Sequence, residues 1–289
     1  MGKGQVKNLS FIEKFTILCE FMSNPSHRRR LNFSTKAFLL AITVLNSSAV
    51  SERSDIVVDT VVIDAGHGGK DPGTRGVNLK EKDVALKIAL KVGGYIEKNI
   101  PGVKVIYTRK TDKYIPLDER ADIANKNKAD LFICIHANAV SNPDIVGTET
   151  YVMGLQKAGG NLDVSKRENS VIMYDENYEE RYEGFDPNSA ESNILMSVQQ
   201  GAYLESSLSF AGKVESEFKT KIGRKSKGVK QAPFWVLWRT AMPSVLIEVG
   251  FLTNKKEEVF LSEEAGQNLI ASGIYRAFKD YKAQVESIN

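Results

Sequence analysis

Three short stretches set the frame of this chain: TVVIDA at 60–65, LFICIHA at 131–137 and SVLIEVGFL at 244–252. Each is a short, mainly apolar run, the pattern of a strand buried within a sheet. The segments between them carry the helical period instead. Lys80–Lys98 places Val84, Leu86, Ile88, Leu90, Val92, Tyr95 and Ile96 mostly at helical spacing, and Pro101-Gly102 ends it. VKVIYT (103–108) predicts a strand, LDERADIANK (117–126) a helix, VGTETYVM (146–153) a strand, and 262–283 a C-terminal helix. Strands alternating with helices predict an α/β fold around a largely parallel sheet. In such sheets the functional groups gather just beyond the carboxyl ends of the strands.

At 289 residues the chain permits one large domain or two small ones, and 42% apolar residues suffice for a sizeable core. No internal repeat and no second globular module is evident, so one domain is expected over 55–289. The rhythm breaks once, at 154–200. Within that stretch six acidic side chains between Asp175 and Asp186 face only Arg181, which reads as an insertion on the rim of the domain.

The formal charge of +3 is unevenly placed. Residues 1–49 hold seven Lys/Arg and two Glu, which leaves 39 − 7 = 32 basic and 36 − 2 = 34 acidic side chains in the rest. The body is near neutral, and nothing in it favours nucleic acid. The basic excess belongs to a segment laid out as a secretory signal: HRRRLNFSTK, then the apolar AFLLAITVL, too short to span a bilayer, then NSSAV. Cleavage is expected near Ala49, which N-terminal sequencing of the exported chain would show as a start near residue 50. The competing reading is an uncleaved N-terminal anchor. Met22 offers an internal start that gives a leader of ordinary length. The expected location is the periplasm or cell envelope, with no transmembrane helix in the mature chain. Of the two cysteines, Cys19 falls in the leader and Cys134 sits among apolar neighbours, so no disulfide framework is available.

The chain has three histidines, and His27 lies in the leader. The other two follow buried strands: VVIDAG leads to His67 and LFICI to His136. SVLI leads to Glu248 on the same expected edge. Each residue alone has an ordinary structural explanation. Together, two imidazoles and a carboxylate make a good catalytic zinc set, and a further carboxylate nearby would serve as proton acceptor. The glycine-rich loop GHGGKDPG lacks the GK[ST] ending of a phosphate-binding loop.

In the strings VVIDAGHGGKDPG, KEKDVAL, CIHAN and PSVLIEVGFLTN the chain resembles the zinc-dependent N-acetylmuramoyl-L-alanine amidases of bacterial cell-wall turnover. The resemblance covers roughly 60–153 and 192–283. It implies a single α/β domain with a twisted, mostly parallel six-stranded sheet flanked by helices. It implies a Zn2+ held by His67, Glu81 and His136, with Glu248 as the catalytic glutamate. Asn138 and Arg75 become candidate substrate-binding residues, and Arg120 a structural one. Some relatives carry a segment that covers the active site until a partner protein moves it. The 154–200 insertion falls at that place, and LDVSKRENSVI would then present Glu168 to the zinc as an autoinhibitory ligand. The implied substrate is peptidoglycan, with a protein activator as partner; a monomer is expected. Two other readings use the same residues: a zinc peptidase cutting within the stem peptides, and a non-catalytic cell-wall-binding regulator.

Overall fold

The computed structural model describes residues 57–154, 159–186, 189, 192 and 201–287. The leader-like segment 1–49 and parts of the 154–200 insertion lie outside the described residues. Among the described residues, no helix is long and apolar enough to cross a membrane.

The elements in chain order are β1 (Thr60–Ala65), α1 (Glu81–Asn99), β2 (Lys104–Tyr107), α2 (Leu117–Lys126), β3 (Leu131–Asn138), β4 (Thr148–Met153), α3 (Gly159–Asn169), α4 (Tyr178–Arg181), α5 (Leu204–Thr220), β5 (Ser226–Ala232), α6 (Trp235–Trp238), β6 (Ser244–Phe251), α7 (Lys255–Ser262) and α8 (Glu264–Ser287). The six strands form one sheet in the order β2-β1-β3-β6-β4-β5. β2, β1, β3 and β6 run parallel; β4 meets β6 antiparallel, and β5 is parallel to β4. The sheet is thus α/β, six-stranded and mostly parallel, as the sequence and its resemblance predict. The reversal at β4 has a simple cause. A strand that runs parallel to the one before it needs a crossover of a dozen or more residues, and the 139–147 connection from β3 to β4 carries no helix.

Side chains alternate across each strand, so the sheet buries two different faces. Val61, Ile63, Ile133, Ile135, Val245 and Ile247 pack against α1, α5 and α8. Val62, Phe132, Cys134, Leu246 and Tyr151 face the other way, toward Phe234, Trp235, Val164 and Ile172. Each such side chain removed from water stabilises the fold by about 1.5–3 kcal/mol. The parity matters for function. Continuing along the second face, Cys134 is followed by His136, Leu246 by Glu248, and Tyr151 is preceded by Glu149. That face is apolar at one end and ionisable at the other.

Sequence analysis assigns no element between 201 and 243, where the structure has α5, β5 and α6. β5, SKGVKQA, escapes because it is an edge strand, mostly half-exposed and without an apolar run. The C-terminal helix expected over 262–283 is α8, and α7, which sequence analysis does not assign, precedes it. Asn254 caps α7, accepting from the backbone of Lys256 and Glu257, and Glu263 is extended between α7 and α8.

Candidate metal centre

β1 ends at Ala65, and Gly66 N still donates to Ile135 O of β3 at 3.0 Å. The chain then turns through His67, whose φ of 58° is left-handed. Such a conformation is unusual for a residue with a Cβ and must be held in place. Two buried arginines hold it. Arg120 donates to Ala65 O at 2.7 Å and His67 O at 2.8 Å, and pairs with Asp64 at 2.8 Å. Arg109 donates to Ala65 O at 2.9 Å and Gly66 O at 2.7 Å. Removing one partner from a buried pair such as Asp64–Arg120 generally costs about 3–5 kcal/mol, because it leaves an uncompensated buried charge. Arg120 is therefore structural, as the sequence suggests.

The glycines of this loop make room for rings. A Cβ on Gly66 would stand 2.4 Å from His136 Nε2. One on Gly73, itself at φ +64°, would stand 2.5 Å from His67 Cδ2. Asp71 Oδ2 lies 2.7 Å from His67 Nδ1, which fixes the ring and aims Nε2 inward. Sequence analysis does not single out Asp71; the signal available was a carboxylate four residues from His67 within the same tight loop.

Glu81 opens α1 and is fully buried. Its Oε2 accepts from Thr74 N at 2.8 Å and its Oε1 from Ala137 N at 3.0 Å. Glu81 Oε1 lies 3.1 Å from His67 Nε2 and 2.9 Å from His136 Nδ1. From the other side, Glu168 Oε2 on α3 lies 3.2 Å from each of the same two nitrogens. Ligand atoms held tetrahedrally at about 2.0–2.1 Å from a zinc ion stand roughly 3.3 Å from one another. The four atoms here have nearly that spacing. All are buried, and His67 Nε2 and Glu168 Oε2 make no hydrogen bond among the described residues. Two imidazoles and two carboxylates in this arrangement fit a divalent metal. Burial opposes protonation of His67, but Glu81, Asp71 and Glu168 outweigh it and hold its pKa well above the usual value. A cation is what these carboxylates favour at the centre.

The residues alone suggested Glu248 as the carboxylate beside the two imidazoles, at the tip of its strand. The structure corrects both points. Glu248 stands in the middle of β6, directly opposite His136 of β3, and Glu81 takes the place between the imidazoles. His136 likewise lies within β3 and not after it. Glu248 is completely buried, and neither carboxylate oxygen has a hydrogen-bond partner among the described residues. Burial first, then the charges of Glu168 and Glu81, push its pKa well above the ordinary carboxylate range. Its nearest cation is Arg167 of α3, with Nη2 3.8 Å from Oε1. Sequence analysis gives Arg167 no role.

Asn138 sits at the end of β3, donating to Glu149 at 3.1 Å and accepting from Arg167 at 3.0 Å. Arg75 is exposed, and only its backbone is engaged, bridging to Lys80; the fold does not bring it to the cluster. Glu97 is exposed, and Glu149 is paired with Lys230 at 2.6 Å. Cys134 is fully buried and donates to Asp64 at 2.9 Å.

Comparison with known proteins points the same way. The family described as N-acetylmuramoyl-L-alanine amidase matches residues 61–280. N-acetylmuramoyl-L-alanine amidase AmiA of Escherichia coli (strain K12) is 34% identical over 224 residues, covering 76% of this chain and 75% of AmiA. The crystal structure of the N-acetylmuramoyl-L-alanine amidase from Clostridium difficile 630 superposes with a TM-score of 0.58 at 28% identity, over 78% of this chain and 97% of that one. The CwlD amidase of Clostridioides difficile, solved in complex with the GerS lipoprotein, gives a TM-score of 0.58 at 26% identity, over 78% of this chain and 99% of CwlD.

Proposed function

The chain belongs to the N-acetylmuramoyl-L-alanine amidase family, and from that premise we propose that it cuts peptidoglycan at the lactyl–L-alanine amide, using Zn2+ held by His67, Glu81 and His136 with Glu248 as general base. The observation that carries this reading is the pairing of a buried two-imidazole, two-carboxylate cluster with a separate buried carboxylate one strand away. Two imidazoles and a carboxylate are a catalytic zinc donor set. Zinc in that set supplies Lewis acidity, polarising the scissile carbonyl and acidifying water to a pKa of roughly 7.

The protein's own groups do the rest. Asp71 orients His67, and Ala137 N and Thr74 N orient Glu81. Glu248 takes a proton from the attacking water and returns it to the departing alanine nitrogen. Water oxygen joins the carbonyl carbon, the C–N bond breaks, and the products are a free lactyl carboxyl group and a free amine. A carboxylate without hydrogen bonds, in a site that raises its proton affinity, suits that role.

The test is a digest of purified peptidoglycan by the zinc-loaded full chain, with and without chelator, read by mass spectrometry. Free stem peptides beginning at L-alanine, released only with metal, are expected. New ends inside the stem would instead favour a zinc peptidase.

α3 suppresses this activity in our reading. Val164 docks into the apolar second face. Asn169 donates to Pro233 O and accepts from Trp235 N, both at 2.8 Å. That seating puts Glu168 against both imidazoles and Arg167 3.8 Å from Glu248, so one turn of helix occupies a ligand position and stands over the base. Glu168→Ala is expected to raise turnover at least tenfold, about 1.4 kcal/mol of released inhibition. Unchanged turnover in that variant would remove the self-inhibition reading. A protein that displaces α3 would be the activator, and CwlD bound to GerS is a relative solved with a partner protein. Export to the cell envelope, where peptidoglycan lies, fits the leader-like residues 1–49.

A further inference from the structure

Two cavities bear on the site. One, of about 150 Å3, is lined by His67, Glu81 and Glu168 of the cluster and reaches Thr74 and Tyr174. The other, of about 220 Å3, is lined by Asn138, Glu149, Tyr151, Lys227, Lys230 and Phe251. Glu149 of β4 is the direct cross-strand partner of Glu248 of β6, so this second cavity opens beside the base.

The charges in the second cavity are unequal. Glu149 is buried and fully engaged: it accepts from Asn138 at 3.1 Å, Tyr151 at 2.6 Å and Lys230 at 2.6 Å. Lys230 and Glu149 therefore cancel. Lys227 is left over; it is exposed, makes no ion pair among the described residues, and holds its Nζ 5.9 Å from the ring centroid of Phe251. The cavity thus offers one spare ammonium above an aromatic wall. Val164 of α3 also lines it, and Arg167 donates to the Asn138 side-chain oxygen. Displacing α3 opens the cavity and frees that oxygen for a peptide N–H.

We propose that this cavity is the stem-peptide subsite, and that Lys227 recognises the free carboxylate of the acidic residue that follows the alanine. The proposal rests on the amidase reading, because it takes the peptide arm of that substrate. The glycan arm, which is neutral around its sugar rings, falls to the cavity on the His67 side.

The experiment uses the zinc-loaded full chain carrying Glu168→Ala and two soluble muropeptides. They differ only in the α-carboxyl group of the D-glutamyl residue, free in one and amidated in the other. The free acid is expected to be cut with at least tenfold higher kcat/KM, the difference lying in KM. Lys227→Met is expected to lose that preference by losing affinity for the acid, so that acid and amide are cut with equal kcat/KM. A preference that survives Lys227→Met, or is absent before it, overturns the subsite. The same pair titrated calorimetrically onto the Glu168→Ala/Glu248→Gln protein decides the matter without turnover. Tighter binding of the acid, abolished by Lys227→Met, supports the subsite even if the amide bond is never cut. Equal binding of the two, or binding of neither, overturns it. Failure of the amidase reading shows separately, as absence of cleavage at the lactyl amide for both substrates.

Discussion

Glu248→Gln is expected to keep its metal and lose between a hundredfold and ten-thousandfold in turnover, the range that a positioned general base contributes. The substitution changes almost no volume, and Glu248 is not among the four residues whose ligand atoms converge. What it removes is the ability to accept a proton. The expected stability change runs the other way. Glu248 is completely buried, its two oxygens lack hydrogen-bond partners, and burial together with Glu168 and Glu81 disfavours its ionised form. Neutralising such a group relieves a desolvation cost, so Tm is expected to hold or rise while activity collapses. Opposite movements in stability and activity mark a residue kept for chemistry. Peptidoglycan turnover, zinc content and thermal melting on one preparation make the check. Near-normal turnover with zinc bound would remove Glu248 from the role of base.

His67→Ala is expected to abolish stoichiometric zinc binding and all activity with it. The imidazole supplies one of the four converging atoms, and its loss leaves Glu81 and Glu168 facing each other in a buried site with His136 alone between them. The loss of affinity should exceed the 10–100-fold that changes to outer-shell partners of a ligand typically cost. Asp71→Asn provides the graded comparison: it weakens the 2.7 Å contact that aims His67 without removing a ligand, and belongs within that 10–100-fold range. Competition against a chromogenic chelator measures both. Chelation of the wild type should lower Tm, because an ion that binds only the folded state stabilises it by mass action. A His67→Ala protein that binds zinc with unchanged affinity would refute the ligand assignment.

The legible part of this protein was local. TVVIDA, LFICIHA and SVLIEVGFL read as buried strands because burial on both faces leaves an apolar run that needs no knowledge of neighbours. α1 announced itself through its period and its Pro-Gly stop. What could not be read depended on where an element lies in the fold. β5 is polar because it sits at the sheet's edge, and β4 runs backwards because the short connection before it cannot make a crossover. Glu81 carried no signal of its own, since a carboxylate at a helix N-terminus is common; the surrounding motif singled it out. Arg75 stood in the right loop, yet the loop turns it to solvent.

The division therefore follows the range of the interactions. Apolar periodicity, loop glycines and the scarcity of histidine are properties of neighbouring residues, and they sufficed for an α/β sheet with His67 and His136 at its working end. Convergence is a property of packing. Only the tertiary structure brings the β1 loop, α1, β3 and α3 together so that four ligand atoms from residues 67, 81, 136 and 168 meet in one buried point. Only strand pairing sets Glu248 beside His136 and Glu149 beside Glu248. Registers between distant strands are chosen by the core they bury together, and no single segment contains that information.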